Sequence, residues 1–355
     1  MHQIINEGSA KLKILTAEKI SKEMEVFYNP VMKLNRDISV LLLNSIDKND
    51  LQIADPLAAT GIRSIRFLKE LDKNKIKRIC INDCNKDSVK SIKHNLKLNK
   101  IKCENNKKII IKNEDANLFL LNSQGFDYID IDPFGCPNYF LDAACKRLSR
   151  EGILAVTATD TSALCGTFPK ACMRKYWALP KKDAIMHETG LRILIRKIQM
   201  IAAQYDKALA PLFSYSKEHY MRVFLANDKG KSKADGILKQ HNYFNGAGPM
   251  WTGNLWNNQL CKKIYSNAQK NKTFRNDKEL IKFLKIIKEE SKINSVGFYD
   301  MNDICEKNNI KKSPKKEYII SKIKEAGHFA SNTHFKGEGI RSDIPYLKLV
   351  GMMKG

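Results

Sequence analysis

The sequence predicts an α/β protein: a doubly wound sheet of seven strands followed by a smaller, basic α+β domain. Three observations carry that expectation. Residues 36–226 alternate short apolar runs with stretches of helical periodicity, the pattern of a mostly parallel sheet with helices on both faces. Two further apolar runs close this region and suit an antiparallel edge pair. After Asn227 the chain turns polar and rich in Lys and Asn.

In chain order, the expected parallel strands are L-Q-I-A-D (51–55), R-I-C-I-N-D (78–83), K-I-I-I-K (108–112), D-Y-I-D-I-D (127–132) and G-I-L-A-V-T-A (152–158). Between them, I-R-S-I-R-F-L-K-E-L and K-D-S-V-K-S-I-K-H-N-L repeat apolar residues at helical spacing. A longer amphipathic helix, H-E-T-G-L-R-I-L-I-R-K-I-Q-M-I-A-A-Q-Y, leads into the closing strands around A-L-A-P-L-F-S-Y-S and H-Y-M-R-V-F-L-A. D-K-G-K-S-K-A-D-G reads as a linker. The expected parts are therefore an N-terminal segment 1–35 that caps the site, a central domain 36–226 and a basic domain 227–355. In the last, Y-D-M-N-D-I-C-E-K-N-N-I-K-K-S-P-K-K-E-Y-I-I-S-K-I-K-E-A-G reads as helix, turn, helix, with Pro314 near the start of the second helix, a winged-helix-like unit.

The charge narrows the partners. There are 62 Lys and Arg against 38 Asp and Glu, a surplus of +24, and residues 227–355 carry half of it with 25 against 13. Such a surplus suits a polyanion, nucleic acid above all; a generally Lys-rich composition accounts for it equally well. No apolar run reaches the ~18 residues of a membrane span, and the start M-H-Q-I-I-N-E-G-S-A-K-L lacks the plan of a signal peptide. A cytoplasmic location is the expectation. Nine cysteines with no C-x-x-C pair argue against a disulfide framework or a thiolate zinc site.

In open α/β sheets, ligands sit beyond the carboxyl ends of the strands. The first strand–helix turn is A-D-P-L-A-A-T-G-I-R-S-I-R, with the single glycine Gly61, so it is not a three-glycine dinucleotide fingerprint. Asp55 there would repel phosphate but suits a cofactor bearing ammonium and sulfonium charges, as S-adenosylmethionine does; an ordinary helix-capping acid explains the same residue. Asp83 lies 22 residues after Gly61, where an acid reaches ribose hydroxyls. Asp115 follows the third strand, placed for an adenine amino group. Any one of these acids is commonly a cap, and three at successive strand ends are harder to explain that way.

The fourth strand ends in D-P-F-G. Asp132 would face the crevice, and Phe134 offers a ring on which a base can stack. The pair suits methylation of an exocyclic amine on an extruded base: the carboxylate accepts an N–H hydrogen bond, helped by a backbone carbonyl beside Pro133. A strand-to-turn junction with a buried Phe is the plainer alternative. Asp130 shares the parity of Asp132 but lies deeper, as a supporting partner.

Together these residues resemble the tRNA guanine-N2 dimethyltransferases that act on guanine 26. The likeness covers V-F-Y-N-P-V-M-K-L-N-R-D-I-S-V (26–40), D-P-L-A-A-T-G-I-R-S-I-R-F, D-Y-I-D-I-D-P-F-G-C-P, G-I-L-A-V-T-A-T-D-T-S-A-L-C-G and the stretch from H-E-T-G-L-R-I-L to Y-M-R-V-F. It continues in G-P-M-W-T-G (248–253) and S-N-T-H-F-K-G-E-G-I-R-S-D (331–343). The resemblance implies a class I methyltransferase sheet and S-adenosylmethionine held by Arg36, Arg66, Asp83, Asp115 and Ala116. It also implies Asp132 as catalytic acceptor, with Pro133 and Phe134 completing the guanine pocket, and tRNA as partner. Lys311, Lys312, Lys315 and Lys316 are the expected tRNA-docking charges; no DNA, membrane or obligate protein partner is expected. Many relatives carry zinc-binding cysteine pairs early in the second domain. Here A-D-G-I-L-K-Q-H-N-Y-F-N-G-A-G-P-M-W has none, Cys261 stands alone and His241 reads as a surface residue, so no metal is expected. A different amino-directed RNA methyltransferase is the first alternative, although adenine enzymes more often show D-P-P-Y than D-P-F-G. A non-catalytic RNA-binding protein on the same fold is the second.

Overall fold

The computed structural model describes residues 2–15, 28–103 and 107–354. Strands β1 (His2–Glu7) and β2 (Ala10–Leu15) form an N-terminal hairpin that the sequence reading did not anticipate. Of the expected capping segment 1–35, residues 1 and 16–27 lie outside the described residues. A single 3-10 turn at Pro30–Met32 then leads into α1 (Lys33–Ser45), a helix buried along most of its length.

Seven strands make the central sheet: β3 (Leu51–Asp55), β4 (Ile76–Asn82), β5 (Ile109–Lys112), β6 (Phe126–Ile131), β7 (Leu148–Ala158), β8 (Lys207–Lys217) and β9 (Tyr220–Lys229). Their order is β5-β4-β3-β6-β7-β9-β8. The first five are parallel, and β9 runs antiparallel between β7 and β8. The order reverses between β3 and β6, which opens a crevice at their carboxyl ends. Helices α2 (Ile62–Glu70), α3 (Lys86–Leu98), α4 (Ala116–Leu121), α5 (Asn138–Arg147), α6 (Thr161–Leu164), α7 (Pro169–Tyr176) and α8 (Met186–Ala203) complete this part. The near-continuous apolar character of β3, β4 and β6 follows from burial on both faces: Ile53, Ile79, Ile81, Ile129 and Ile131 are fully buried.

The expected linker is not one. Residues 228 and 229 finish β9, and Lys231–Leu238 forms α9 after Gly230. Burial of Ala234 holds this polar helix to the fold, tertiary packing prevailing over composition. The hairpin β10 (His241–Phe244) and β11 (Ala247–Trp251) follows, then α10 (Asn258–Lys270) and α11 (Lys278–Glu290). The chain ends with β12 (Tyr299–Asp300), α12 (Met301–Lys307), α13 (Lys316–Glu325), β13 (Ala330–Asn332), β14 (Gly339–Ser342) and α14 (Tyr346–Lys354). A three-stranded sheet ordered β12-β14-β13 accompanies α12 and α13, compatible with the expected winged-helix-like unit, and Pro314 lies two residues before α13.

Two apolar cores result. The larger surrounds the sheet and takes in Leu260 and Ile264 of α10 and Leu280, Leu284 and Ile287 of α11. The smaller is built on Met301, Ile304, Ile319, Ile323, Ile340 and Leu349. Where they meet, a fully buried ionic cluster ties distant motifs together. Glu188 and Arg192 of α8 pair at 2.8 Å, Arg341 of β14 binds Glu188 and also Glu290 of α11 at 3.0 Å, and Glu290 holds His334 at 2.5 Å. Arg192 also donates to the backbone carbonyls of Trp251 and Gly253, so H-E-T-G-L-R, G-P-M-W-T-G and G-I-R-S-D converge on one junction.

Candidate functional site

The sheet order sets the strand-end acids in a row: Asp115 and Asp83 follow β5 and β4, Asp55 ends β3, and Asp132 follows β6. A cavity of about 700 Å³ opens over the last two. One wall is Tyr28, Asn29, Val31, Met32 and Arg36; a second is the β3–α2 turn from Leu57 to Arg63. A third is Asp132 to Gly135 with Thr159 and Asp160, and the β8–β9 turn closes the fourth with Glu218, His219 and Tyr220.

The β3–α2 turn is shaped by Gly61, which adopts a φ of +77° at the head of α2 and packs against α3. A Cβ there would lie 3.2 Å from Ile92 of α3. Asp55 is buried and accepts a hydrogen bond from Ser64 at 2.7 Å. Burial pushes its carboxyl up to about 7, against the opposing pull of Arg63. Thr60, also lining the cavity, has a buried hydroxyl with no hydrogen-bond partner among the described residues. A site with a buried acid ready to ionise, an unused hydroxyl and an apolar turn fits a cationic, partly apolar ligand such as S-adenosylmethionine.

The D-P-F-G turn is fastened to β7: Gly135 donates its N–H to the Thr159 hydroxyl at 2.6 Å and accepts from the Thr159 N–H at 2.9 Å. Asp132 is partly exposed at 19% and is gripped by Arg63. Phe134 is not the buried ring of the plainer alternative, being 46% exposed at the cavity rim. Asp130, as expected, lies deeper: it takes both arms of Arg222 at 2.9 and 2.7 Å and lies 3.2 Å from Arg63. Burial works to raise its pKa, but Arg222 and Arg63 outweigh it and hold it below the ordinary value.

The cofactor residues drawn from the resemblance divide. Arg36 lines the cavity, clasped by Glu7 of the hairpin at 2.7 and 2.5 Å. Arg66 points elsewhere: it is fully buried among Glu7 at 3.1 Å, Asp37 at 2.6 Å and Glu70 at 2.8 Å. Burial alone would raise the Glu7 carboxyl, yet Arg36 and Arg66 bring it down to about 2. Asp83 accepts the N–H of Ala59 at 2.8 Å and of Asn85 at 2.9 Å, so it braces the first turn. Asp115 caps α4 through the N–H groups of Asn117 and Leu118, and Ala116 is buried behind it. These three lie at the neighbouring strand ends, outside the cavity wall given above.

Sequence reasoning missed Arg63 and Glu7. Arg63 had a readable signal, since a cation in the first turn of a helix opposes the helix dipole and needs compensating acids. Glu7 had none, because its partners lie 29 and 59 residues away.

Away from the cavity, Lys311, Lys312 and Lys315 are exposed in the α12–α13 turn, and Lys316 bonds the carbonyl of Gly337. Lys316 also lines a groove of about 740 Å³ beside α11, along with Lys217, Lys282, Lys285, Lys324 and Lys336. His241 is not a surface residue: it is half-buried, 2.8 Å from Gln199, and burial beside Arg196 lowers its pKa to about 4. Among the described residues, no group of three His, Cys, Asp or Glu side chains is arranged to hold a metal ion, and no helix is long and apolar enough to cross a membrane.

Comparison with known proteins agrees with this geometry. A profile of the N2,N2-dimethylguanosine tRNA methyltransferases matches residues 8–246 and 239–354. A tRNA (guanine(26)-N(2)/guanine(27)-N(2))-dimethyltransferase of Aquifex aeolicus is 36% identical, covering 99% of this chain and 96% of its own length. The tRNA (guanine(26)-N(2))-dimethyltransferase of Methanocaldococcus jannaschii is 38% identical over 98% of this chain and 97% of its own. Trm1 from Pyrococcus horikoshii, solved in complex with S-adenosyl-L-methionine, superposes with a TM-score of 0.90 at 35% identity, covering 99% of this chain and all of that one. With a family profile spanning nearly its whole length and relatives matched end to end, the chain belongs to the N2,N2-dimethylguanosine tRNA methyltransferase family.

Proposed function

We propose that this protein transfers one and then a second methyl group from S-adenosylmethionine to N2 of guanine 26 in tRNA, with Asp132 as the acceptor of the N2–H. The observation that carries the assignment of Asp132 is the meeting, in one cavity, of the D-P-F-G turn with the β3–α2 turn. S-adenosylmethionine supplies an electrophilic methyl group on a sulfonium centre. Asp55, Thr60 and Arg36, which line the cavity, would hold it.

The guanine amine is a weak nucleophile because its lone pair is delocalised into the ring. The Asp132 carboxylate, accepting one N2–H, favours a pyramidal nitrogen whose lone pair is free to attack; the N2 proton then passes to that carboxylate as the new bond forms. Arg63 fixes the carboxylate from the other side, so little reorganisation is needed at the moment of transfer. Phe134 offers its ring to the extruded base, whose stacking offsets an unstacking cost of a few kcal/mol. Once that carboxyl has released its proton to solvent and the thioether product, S-adenosylhomocysteine, has been exchanged for fresh S-adenosylmethionine, the one remaining N2–H can be accepted in the same way. Lys311, Lys312, Lys315 and Lys316 serve the tRNA backbone in this reading.

The test is nucleoside mass spectrometry of unmodified tRNA after incubation, with the position mapped. N2,N2-dimethylguanosine at position 26 is expected; methylated adenosine without N2-methylguanosines would discard the proposal.

A further inference from the structure

Beyond the cavity, the segment from Thr167 to Lys182 carries five cations and no acid. It contains α7, which starts nine residues after Asp160, a residue of the cavity wall. Two of its rings face outward, Phe168 at 60% exposed and Trp177 at 50%, beside Tyr139 of α5 at 75%, while Tyr176 is buried. The surfaces are continuous, because Asn138 donates to the carbonyl of Lys175 at 2.7 Å. Lys170, Arg174 and Lys175 are exposed among these rings, Lys175 reaching Asp160 at 3.3 Å.

Trp177 is the unusual residue. It ends α7 at a φ of +57°, a left-handed position that glycine fills without strain and a bulky side chain rarely occupies. One face of its indole is covered by the Lys197 ammonium, 2.8 Å from the ring centroid. The half-exposed ring is thus held in place with its remaining surface toward solvent. Strain retained at an exposed aromatic points to function rather than packing.

We propose that this aromatic and basic strip is a second RNA-binding surface, one that stacks unpaired nucleobases flanking the extruded guanine and neutralises the phosphates between them. It rests on the RNA-methylation reading above. The chemistry favours RNA: rings that accept any base, interleaved with cations on an acid-free segment, are what single-stranded nucleic acid requires. A polyanionic strand entering the cavity has to cross one of its rims, and this rim joins Phe134 to α7.

Trp251 and Trp256 are buried, so a fluorescence change on RNA binding reports Trp177. Substrate tRNA should quench the wild-type signal. Trp177→Gly, which relieves the left-handed backbone, should lose the quench and weaken tRNA affinity about tenfold while S-adenosylmethionine affinity and melting temperature hold. Lys170→Ala with Arg174→Ala should weaken affinity and reduce its salt slope, and decides the matter even if Trp177→Gly folds poorly. Unchanged tRNA affinity in both variants overturns the inference, as a surface serving a protein partner would produce. Wild-type protein that leaves guanine 26 unmethylated would instead remove the underlying reading, and nucleoside analysis detects that independently of fluorescence.

Discussion

Asp132 and Asp55 illustrate how much a single side chain's setting decides. Asp132→Ala should abolish methylation while tRNA still binds in a filter assay; unchanged turnover would discard its role. Asp55 makes a pH-dependent prediction. Its folded pKa of about 7 lies above the ordinary carboxylate value, so at pH 6 it is mostly protonated. A cationic ligand selects the ionised form, so binding of S-adenosylmethionine should release close to one proton at pH 6 and tighten between pH 6 and 8. Calorimetry in buffers of different ionisation enthalpy measures this, and Asp55→Asn should remove it. Both acids were legible in the sequence because a strand's alternation and a strand-end position mark which carboxylate faces the crevice. Arg63, which touches Asp130 and Asp132 alike, went unread because an arginine on a helix normally looks like a solvated surface residue, its place in the first turn being the one cue against that.

At the level of elements, the β3–α2 turn depends on Gly61. Gly61→Ala should cost roughly 1–2 kcal/mol for the left-handed backbone alone, with further crowding against Ile92, and a melting curve should show a drop of several degrees. In the winged-helix-like unit, replacing Lys311, Lys312, Lys315 and Lys316 by Ala should weaken tRNA binding and flatten its dependence on salt; equal slopes for variant and wild type would count against that patch. The strands were legible because their apolar runs are short and separated by clear helical periods. Helix α9 was not, since Gly, Lys and Asp advertise a loop and only burial of Ala234 against the fold makes it helical. The lysines of the α11 groove went unread: Lys282 and Lys285 share one helix, but their convergence with Lys316, Lys324 and Lys336 belongs to tertiary structure.

On the scale of the whole molecule, the buried junction of Glu188, Arg192, Glu290 and Arg341 holds the last third of the chain to the sheet. Arg341→Met should destabilise by about 3–5 kcal/mol, because it leaves carboxylates buried without their partner, and denaturant unfolding measures that loss. Burial would raise the Glu188 carboxyl, but Arg341 and Arg192 depress it to about 2. Its stabilising contribution is therefore complete above pH 4.5 and declines as pH falls toward 2, a window open to acid titration by circular dichroism. The three motifs that meet there are part of the family likeness read from the sequence, but their spacing along the chain carries no sign that they meet.

The shared apolar interior has a further consequence. With α10 and α11 contributing to the same core as the sheet, a fragment stopping at Asn227 would bare a hydrophobic face and favour aggregation over folding. The chemistry is therefore not a portable cassette.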